Sequence, residues 1–228
     1  MNRLQSRPKK TARKKILIVD DHPVLREGLT VAINQQPDLA VCAQAGDAEE
    51  AMAAVGTSKP DAAIIDISLQ GRSGVDLIKD LKSQHPDLPV MALSMHDEDV
   101  YAERALRAGA LGYVMKKEST ENMLKALRKV LDGKFHVSER MSARLLQLAV
   151  KQPGIPSTSP SDLLSDRELE VFELLGHGES TRQIADALHL SIKTVSCYRE
   201  NIKTKLNFKG SAELVSHAIH WVRATEQS

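Results

Sequence analysis

The segment Ile16-Leu17-Ile18-Val19-Asp20-Asp21-His22-Pro23 decides the fold of this 228-residue chain. Four consecutive apolar residues ending abruptly in acid are the pattern of a strand buried on both faces of a parallel sheet, where neither face can carry polar alternation. A second run of this kind, Ala62-Ala63-Ile64-Ile65-Asp66, also ends in acid. Around them, short apolar runs alternate with segments of helical period. Helices are predicted over about 23–35, 48–56, 75–84, 97–108 and 119–131, with strands at 16–19, 39–44, 62–66, 90–94 and 112–115. Five β/α repeats with short connections predict an α/β fold, a five-stranded doubly wound parallel sheet over residues 16–133.

The rest of the chain reads differently. A helical pattern over 139–150 gives way to Pro153, Gly154, Pro156, Ser157, Ser159 and Pro160, so 134–161 is a linker containing a helix. Residues 162–228 carry helical periodicity only, opening with Ser165 and Glu168 at capping-box spacing, and predict a small all-α domain. With 42% hydrophobic and 27% charged residues, the composition excludes a disordered chain and suits two ordinary cores. No apolar run approaches the roughly 20 residues of a membrane helix and no apolar signal core opens the chain, so a soluble cytoplasmic protein is expected. Cys42 and Cys197 belong to no Cys/His cluster, which implies neither a disulfide framework nor a zinc site. The net charge of +1 conceals a division: residues 1–15 hold seven Lys/Arg and no acid, whereas 16–133 hold 12 against 19 acids. Residues 1–15 read as a disordered basic extension.

In a doubly wound sheet, ligands bind beyond the carboxyl ends of the strands. Asp20 and Asp21 end the first strand, Asp66 the third, Ser94 the fourth and Lys116 the fifth. Crowded carboxylates raise one another's pKa and need a compensating cation, either Lys116 or a hard divalent metal; Mg²⁺ suits an all-oxygen site that keeps waters and takes a phosphoryl group. One aspartate at a strand end can be a simple turn cap, but the ordered set points to a site.

That set, carried by Ile18-Val19-Asp20-Asp21-His22-Pro23, Ile64-Ile65-Asp66-Ile67, Ala92-Leu93-Ser94 and Gly112-Tyr113-Val114-Met115-Lys116, resembles the receiver domain of bacterial two-component response regulators, a flavodoxin-like fold. The resemblance implies that Asp66 accepts a phosphoryl group from a phosphohistidine on a sensor histidine kinase. It also implies that Asp21, Asp66 and the main-chain carbonyl of Ser68 hold Mg²⁺, that Asp20 helps through water, and that Lys116 pairs with the phosphoryl oxygens. Such chemistry needs the negative charge of an in-line transition state neutralised, which Mg²⁺ and an ammonium do. The new charge would recruit the Ser94 hydroxyl, whose inward shift opens space for Tyr113 to swing in. Gln70 and Lys117 stand where the family often has proline, and Ser94 where threonine is commoner. The Lys116-Lys117 bond is expected to be trans.

Residues 180–191 contain a helix, a tight break and the cap of a second helix, which is helix-turn-helix spacing. In the second helix, from Ile192 to about Leu206, Val195, Ile202 and Leu206 face inward. Lys193, Ser196, Cys197, Glu200 and Thr204 lie opposite, flanked by Arg199, Lys203 and Lys205. Cations gathered around one helix are the footprint of a reader of double-stranded DNA. The stretch Leu164 to Val171, with Lys193-Thr194-Val195 and Leu206, resembles the LuxR-type DNA-binding domain, and the whole chain a response regulator of the NarL/FixJ type. By position, Ser196, Cys197 and Glu200 are candidates for base edges, and Thr181, Lys193, Thr194, Arg199 and Lys203 for phosphates. A last helix, 211–222, is expected to close the domain and to pair two of them. His217 and His220 lie one turn apart but lack a further ligand.

The leading reading is a phosphorylation-controlled transcription factor, and not an enzyme beyond self-phosphorylation from phosphodonors and slow self-dephosphorylation. In it, receiver and linker hold the recognition helix unavailable until phosphorylation favours homodimers on paired half-sites, with RNA polymerase as a further partner. A turning-over phosphatase lacks a further general acid and a substrate lid. A constitutive DNA binder with a vestigial receiver has to explain why all five site residues are present.

Overall fold

A computed structural model of the chain describes residues 12–96, 98–150 and 160–226. The receiver half alternates β1 (Lys14–Val19), α1 (Pro23–Asn34), β2 (Leu39–Ala45), α2 (Ala48–Ser58), β3 (Ala62–Asp66), α3 (Gly74–Gln84), β4 (Val90–Ser94), α4 (Glu98–Arg107), β5 (Gly112–Met115) and α5 (Thr120–Leu131). All strand pairs are parallel, in the order β2-β1-β3-β4-β5. The doubly wound α/β prediction is therefore met. Side-chain alternation divides the core into two layers. Ile16, Ile18, Ile64, Met91, Leu93 and Val114 meet α1 and α5, whereas Leu17, Val19, Ile65, Val90, Ala92 and Tyr113 meet α2, α3 and α4.

Local chemistry sets the helix starts. Asp47, Ser73 and Ser119 each accept a hydrogen bond from a backbone N–H of the first turn of the following helix. Gly74 opens α3 where the chain doubles back on β3, with its N–H on the Ile67 carbonyl at 2.7 Å, and a Cβ there would collide with the Asp66 carbonyl. Strand β1 begins two residues before the expected start, because Lys14 pairs with Asp61 at 3.0 Å and the Lys15 N–H donates to the same carboxylate at 2.8 Å. Residues 1–11 lie outside the described residues.

After α5 the chain runs along the open edge of β5. The Tyr113 N–H donates to the His136 carbonyl at 2.9 Å, and the His136 N–H to the Leu111 carbonyl at 2.8 Å. This strap leads into α6 (Glu139–Val150), which packs on α4. Pro160, read as a helix breaker, instead opens the short helix α7 (Pro160–Leu163), at the first turn where its missing N–H costs nothing.

The C-terminal half comprises α8 (Asp166–Gly176), α9 (Thr181–Ala187), α10 (Ile192–Lys205) and α11 (Ser211–Glu226). Ser165 and Ser180 form complete capping boxes with Glu168 and Gln183. Leu169, Phe172, Ile184, Val195, Ile202, Leu214 and Ala218 build the core, and this apolar cluster is continuous with the α2–α3–α4 layer of the receiver.

Candidate functional site

Asp20 and Asp66 are buried at the carboxyl ends of β1 and β3, with Asp21 beside them. Lys116, just past β5, reaches both: its Nζ lies 2.6 Å from Asp66 Oδ2 and 2.8 Å from Asp20 Oδ2. Asp66 Oδ1 accepts from the Ser68 N–H at 3.1 Å. Burial raises the Asp66 pKa; the Lys116 ammonium opposes this and Asp20 adds to it. Burial also works against the charge on Lys116, but Asp66 and Asp20 outweigh it and hold its pKa above the usual value.

The pocket fits a divalent cation. One atom each from Asp20, Asp21, His22 and Asp66 lies within 4.8 Å of the others. Asp20 Oδ2 lies 2.8 Å from Lys116 Nζ and Asp21 Oδ1 lies 2.8 Å from His22 Nδ1, so both buried carboxylate oxygens meet an ionisable nitrogen inside the pocket. Such oxygens are the donors a hard cation takes. His22 at this rim escaped the sequence reading, although it follows Asp20-Asp21 directly.

The switch residues sit on the same side. Ser94 is fully buried, and its Oγ accepts from the His96 N–H at 3.0 Å. Tyr113 is also buried, with its hydroxyl donating to the His96 carbonyl at 2.9 Å. The tyrosine thus already points inward, not in the outward position implied for a resting switch. The Lys116-Lys117 bond is trans, as expected.

Two residues after Ser94, His96 connects this region to the other half of the chain. Its Nε2 lies 2.8 Å from Ser68 Oγ and its Nδ1 3.0 Å from the Glu173 carboxylate on α8. Tyr101, fully buried, donates its hydroxyl to Glu173 at 3.0 Å and packs its ring against His96 at 4.5 Å. Burial opposes the charge on His96, but its bond to Glu173 holds the pKa above the ordinary histidine value. Arg104 on α4 binds Asp166 and donates to the Ser161 and Leu164 carbonyls at 2.5 and 2.6 Å. Arg167 on α8 binds Glu170 at 2.5 Å and the Leu69 carbonyl, leaving Arg167 Nε and Glu170 Oε1 buried without hydrogen bonds. Burial drives the Glu170 pKa up despite Arg167. From the sequence, His96, Tyr101, Arg104 and Glu173 take no role, and Asp166, Arg167 and Glu170 enter only as part of the stretch 164–171 that carries the LuxR-type resemblance.

The expected DNA-reading face is a surface of α9 and α10. Lys193, Ser196, Cys197 and Glu200 are exposed, and Thr194, Arg199 and Lys203 half-buried. Ser196 Oγ donates to the Ile192 carbonyl at 2.9 Å, and Thr194 receives the Ser191 cap through its N–H at 3.0 Å. Arg199 donates to Thr181 Oγ1 at 2.5 Å, and Lys203 pairs with Glu200 at 2.8 Å. Lys205 instead turns inward to Glu168 at 2.5 Å. Among the described residues, the hydrogen bonds and ion pairs that the receiver makes to the C-terminal half run to α7 and α8, where the charged side chains that match α4 lie; linker residues 151–159 lie outside the described residues. On α11, Leu214, Ala218 and Val222 are buried against the domain, and Trp221 lies 5.7 Å from Phe172.

Comparison with known proteins agrees with this geometry. Residues 16–128 match the response regulator receiver domain, and residues 162–218 match the family of bacterial regulatory proteins of the luxR type. The chain is 36% identical over 210 residues to the oxygen regulatory protein NreC of Staphylococcus epidermidis, covering 90% of this chain and 96% of that one. NreC of Staphylococcus aureus is also 36% identical, over 209 residues and with the same coverage of each chain. Among solved structures, the RcsB response regulator of Salmonella typhimurium is similar at 27% identity and a TM-score of 0.53, over 90% of this chain and 97% of that one. Two RcsB dimers bound to two parallel DNAs are similar at 25% identity and a TM-score of 0.56, over 92% of this chain and 100% of that one. With an acidic pocket at the strand ends of one half and a helix-turn-helix in the other, the chain belongs to the LuxR-type two-component response regulators, which control transcription.

Proposed function

We propose that Asp66 is the phosphoacceptor and that a phosphohistidine of a sensor histidine kinase is its donor. The observation that carries this is the convergence of Lys116 on Asp66 and Asp20 at 2.6 and 2.8 Å, with Asp21 beside them in the same acidic pocket. An Asp66 oxygen attacks phosphorus in line, a P–O bond forms, and the P–N bond to the donor imidazole breaks as that ring departs with its electron pair. Asp21, Asp66 and the Ser68 carbonyl would hold Mg²⁺, with Asp20 acting through water; when bound, the cation would neutralise charge on the transferring group. Lys116 then turns from Asp66 to the phosphoryl oxygens, and the Ser94 hydroxyl donates to them in place of its contact with the His96 N–H. This rearrangement loosens the β4–α4 loop against which α8 is seated.

The output is DNA binding. Ser196, Cys197 and Glu200 face base edges, while Thr181, Lys193, Thr194, Arg199 and Lys203 grip phosphates. Because the reading face is exposed while α8 is engaged, the closed arrangement restrains the placing of two domains on paired half-sites. Freed chains pair as homodimers, through the receiver, through α11 or both, and engage RNA polymerase in the cytoplasm. Acetyl phosphate labelling tests the first step: the chain takes one phosphoryl group and Asp66→Asn takes none. DNA affinity measured before and after treatment tests the second. An Asp66→Asn chain that still responds overturns the reading.

A further inference from the structure

We propose that Glu173, a residue of the DNA-binding half, is a positioning residue for phosphoryl chemistry at Asp66, acting through His96 and Ser68. The inference rests on Asp66 being the phosphoacceptor. A continuous set of contacts joins the two: Asp66 Oδ1 to the Ser68 N–H at 3.1 Å, Ser68 Oγ to His96 Nε2 at 2.8 Å, and His96 Nδ1 to Glu173 at 3.0 Å. Both ring nitrogens of His96 are therefore occupied. Its main chain is held as well, with the N–H on Ser94 Oγ at 3.0 Å and the carbonyl under the Tyr113 hydroxyl at 2.9 Å. Every one of these restraints belongs to the receiver except that from Glu173. Tyr101 in turn fixes Glu173 by its own hydroxyl at 3.0 Å.

The placement matters because Ser68 follows Asp66 by two residues and His96 follows Ser94 by two, so both flank the path by which a phosphoryl donor or an attacking water reaches Asp66. While Glu173 holds the imidazole, the Ser68 hydroxyl is drawn to His96 and the two loops are fixed beside the acceptor. Without that carboxylate both side chains regain rotamer freedom, and phosphoryl gain and loss both accelerate. Coupling runs in the other direction too: a phosphoryl group that claims Ser94 takes away the partner of the His96 N–H and weakens the hold of Glu173. Occupancy of Asp66 and engagement of α8 then oppose each other by one shared free energy.

The test follows full-length chain with Mg²⁺ and acetyl phosphate. The Asp66 oxygen forms the new P–O bond while the P–O bond to the acetyl group breaks and acetate leaves; in the reverse phase water cleaves the acyl phosphate to Asp66 and inorganic phosphate. Glu173→Ala is expected to speed labelling and loss of label by about two- to thirtyfold. Glu173→Gln, which still accepts from Tyr101 and His96, restores most of the wild-type rate. In a His96→Ala background, Glu173→Ala adds nothing, whereas general loosening of the domains would add its full effect there too. An unchanged rate in Glu173→Ala, or an equal increment with and without His96, overturns the proposal while the Asp66 reading stands. A wild-type chain that takes no label overturns both. Should Glu173→Ala not fold, the imidazole resonances of His96 in the wild type decide: they must move on acetyl phosphate treatment, and fixed resonances overturn the proposal.

Discussion

Arg104 and Asp166 form an ion pair across the two halves of the chain, and Arg104 also carries the Ser161 and Leu164 carbonyls. One side chain of α4 thus gathers the last turn of α7 and the first residue of α8. Both partners are largely out of water, so removing one leaves the other charge buried and unpaired.

Arg104→Ala is therefore expected to weaken the closed arrangement by roughly 3 kcal/mol. Small-angle scattering would show a larger radius of gyration, and α8 amides would exchange faster with deuterium. An unchanged scattering profile would refute the assignment of Arg104 as a latch.

Lys116→Met leaves Asp20 and Asp66 buried together with no cation. Stability is expected to fall by about 3–5 kcal/mol in chelator. Added Mg²⁺ should restore part of this loss, because a bound cation replaces the missing charge. Urea titrations of the variant with and without Mg²⁺ measure both effects.

Gly74→Ala places a methyl group against the Asp66 carbonyl. The expected cost is about 1–3 kcal/mol, from overpacking at a turn that cannot relax without moving β3. The thermal midpoint should fall and labelling of Asp66 should slow together, since the same carbonyl shift displaces the acceptor.

Glu168 gives the C-terminal half an acid sensitivity. Burial alone would raise its pKa, but Lys205 and the Ser165 N–H and hydroxyl hold it below the usual 4.5. A depressed carboxyl contributes stability that is fully present above the unfolded value and is lost as pH falls through the folded one. The stability difference between the wild type and Glu168→Gln should thus be constant from neutrality to about pH 5 and shrink below 4.5, as denaturation midpoints of the two chains measured across pH would show.

Lys193→Ala should weaken binding to all duplex sequences alike and reduce the slope of log affinity against log salt by about 1. Glu200→Ala should instead relax preference at one base pair, worth about 1–3 kcal/mol, and leave Lys203 without its partner. Binding measured at several salt concentrations on randomised and selected duplexes separates the two behaviours.

What the sequence made legible follows from burial and from local hydrogen bonding. Runs such as 16–19 and 62–66 are apolar because both faces of the sheet are covered, and the polar residues that end them mark the ligand pole. Ser165 and Ser191 announce helix starts because a cap bonds within three residues of itself. Lys14 and Lys15 concealed the first two residues of β1, since their partner Asp61 is distant in sequence. The same reason hid the interdomain face. Arg167 and Glu170 look like solvent-facing helix residues until Leu69 of the receiver is placed on them, and nothing in the spacing of Tyr101 or Arg104 announces a partner some 60 or 70 residues away.

The strap formed by residues 134–137 bears on where such a chain can be divided. It supplies the edge partner of β5, so a receiver cut at Gly133 would strip the Tyr113 N–H and the Leu111 carbonyl of their bonds. It would also leave a hydrophobic strand margin open to pairing with other molecules. A graft that joins this receiver to a foreign output domain keeps a sealed sheet only when its junction falls after the strap, past the first turn of α6, where Ser138 is already tied to Glu98 and Met141 is fully buried. The modular boundary of the protein is thus later than the end of its last β/α repeat.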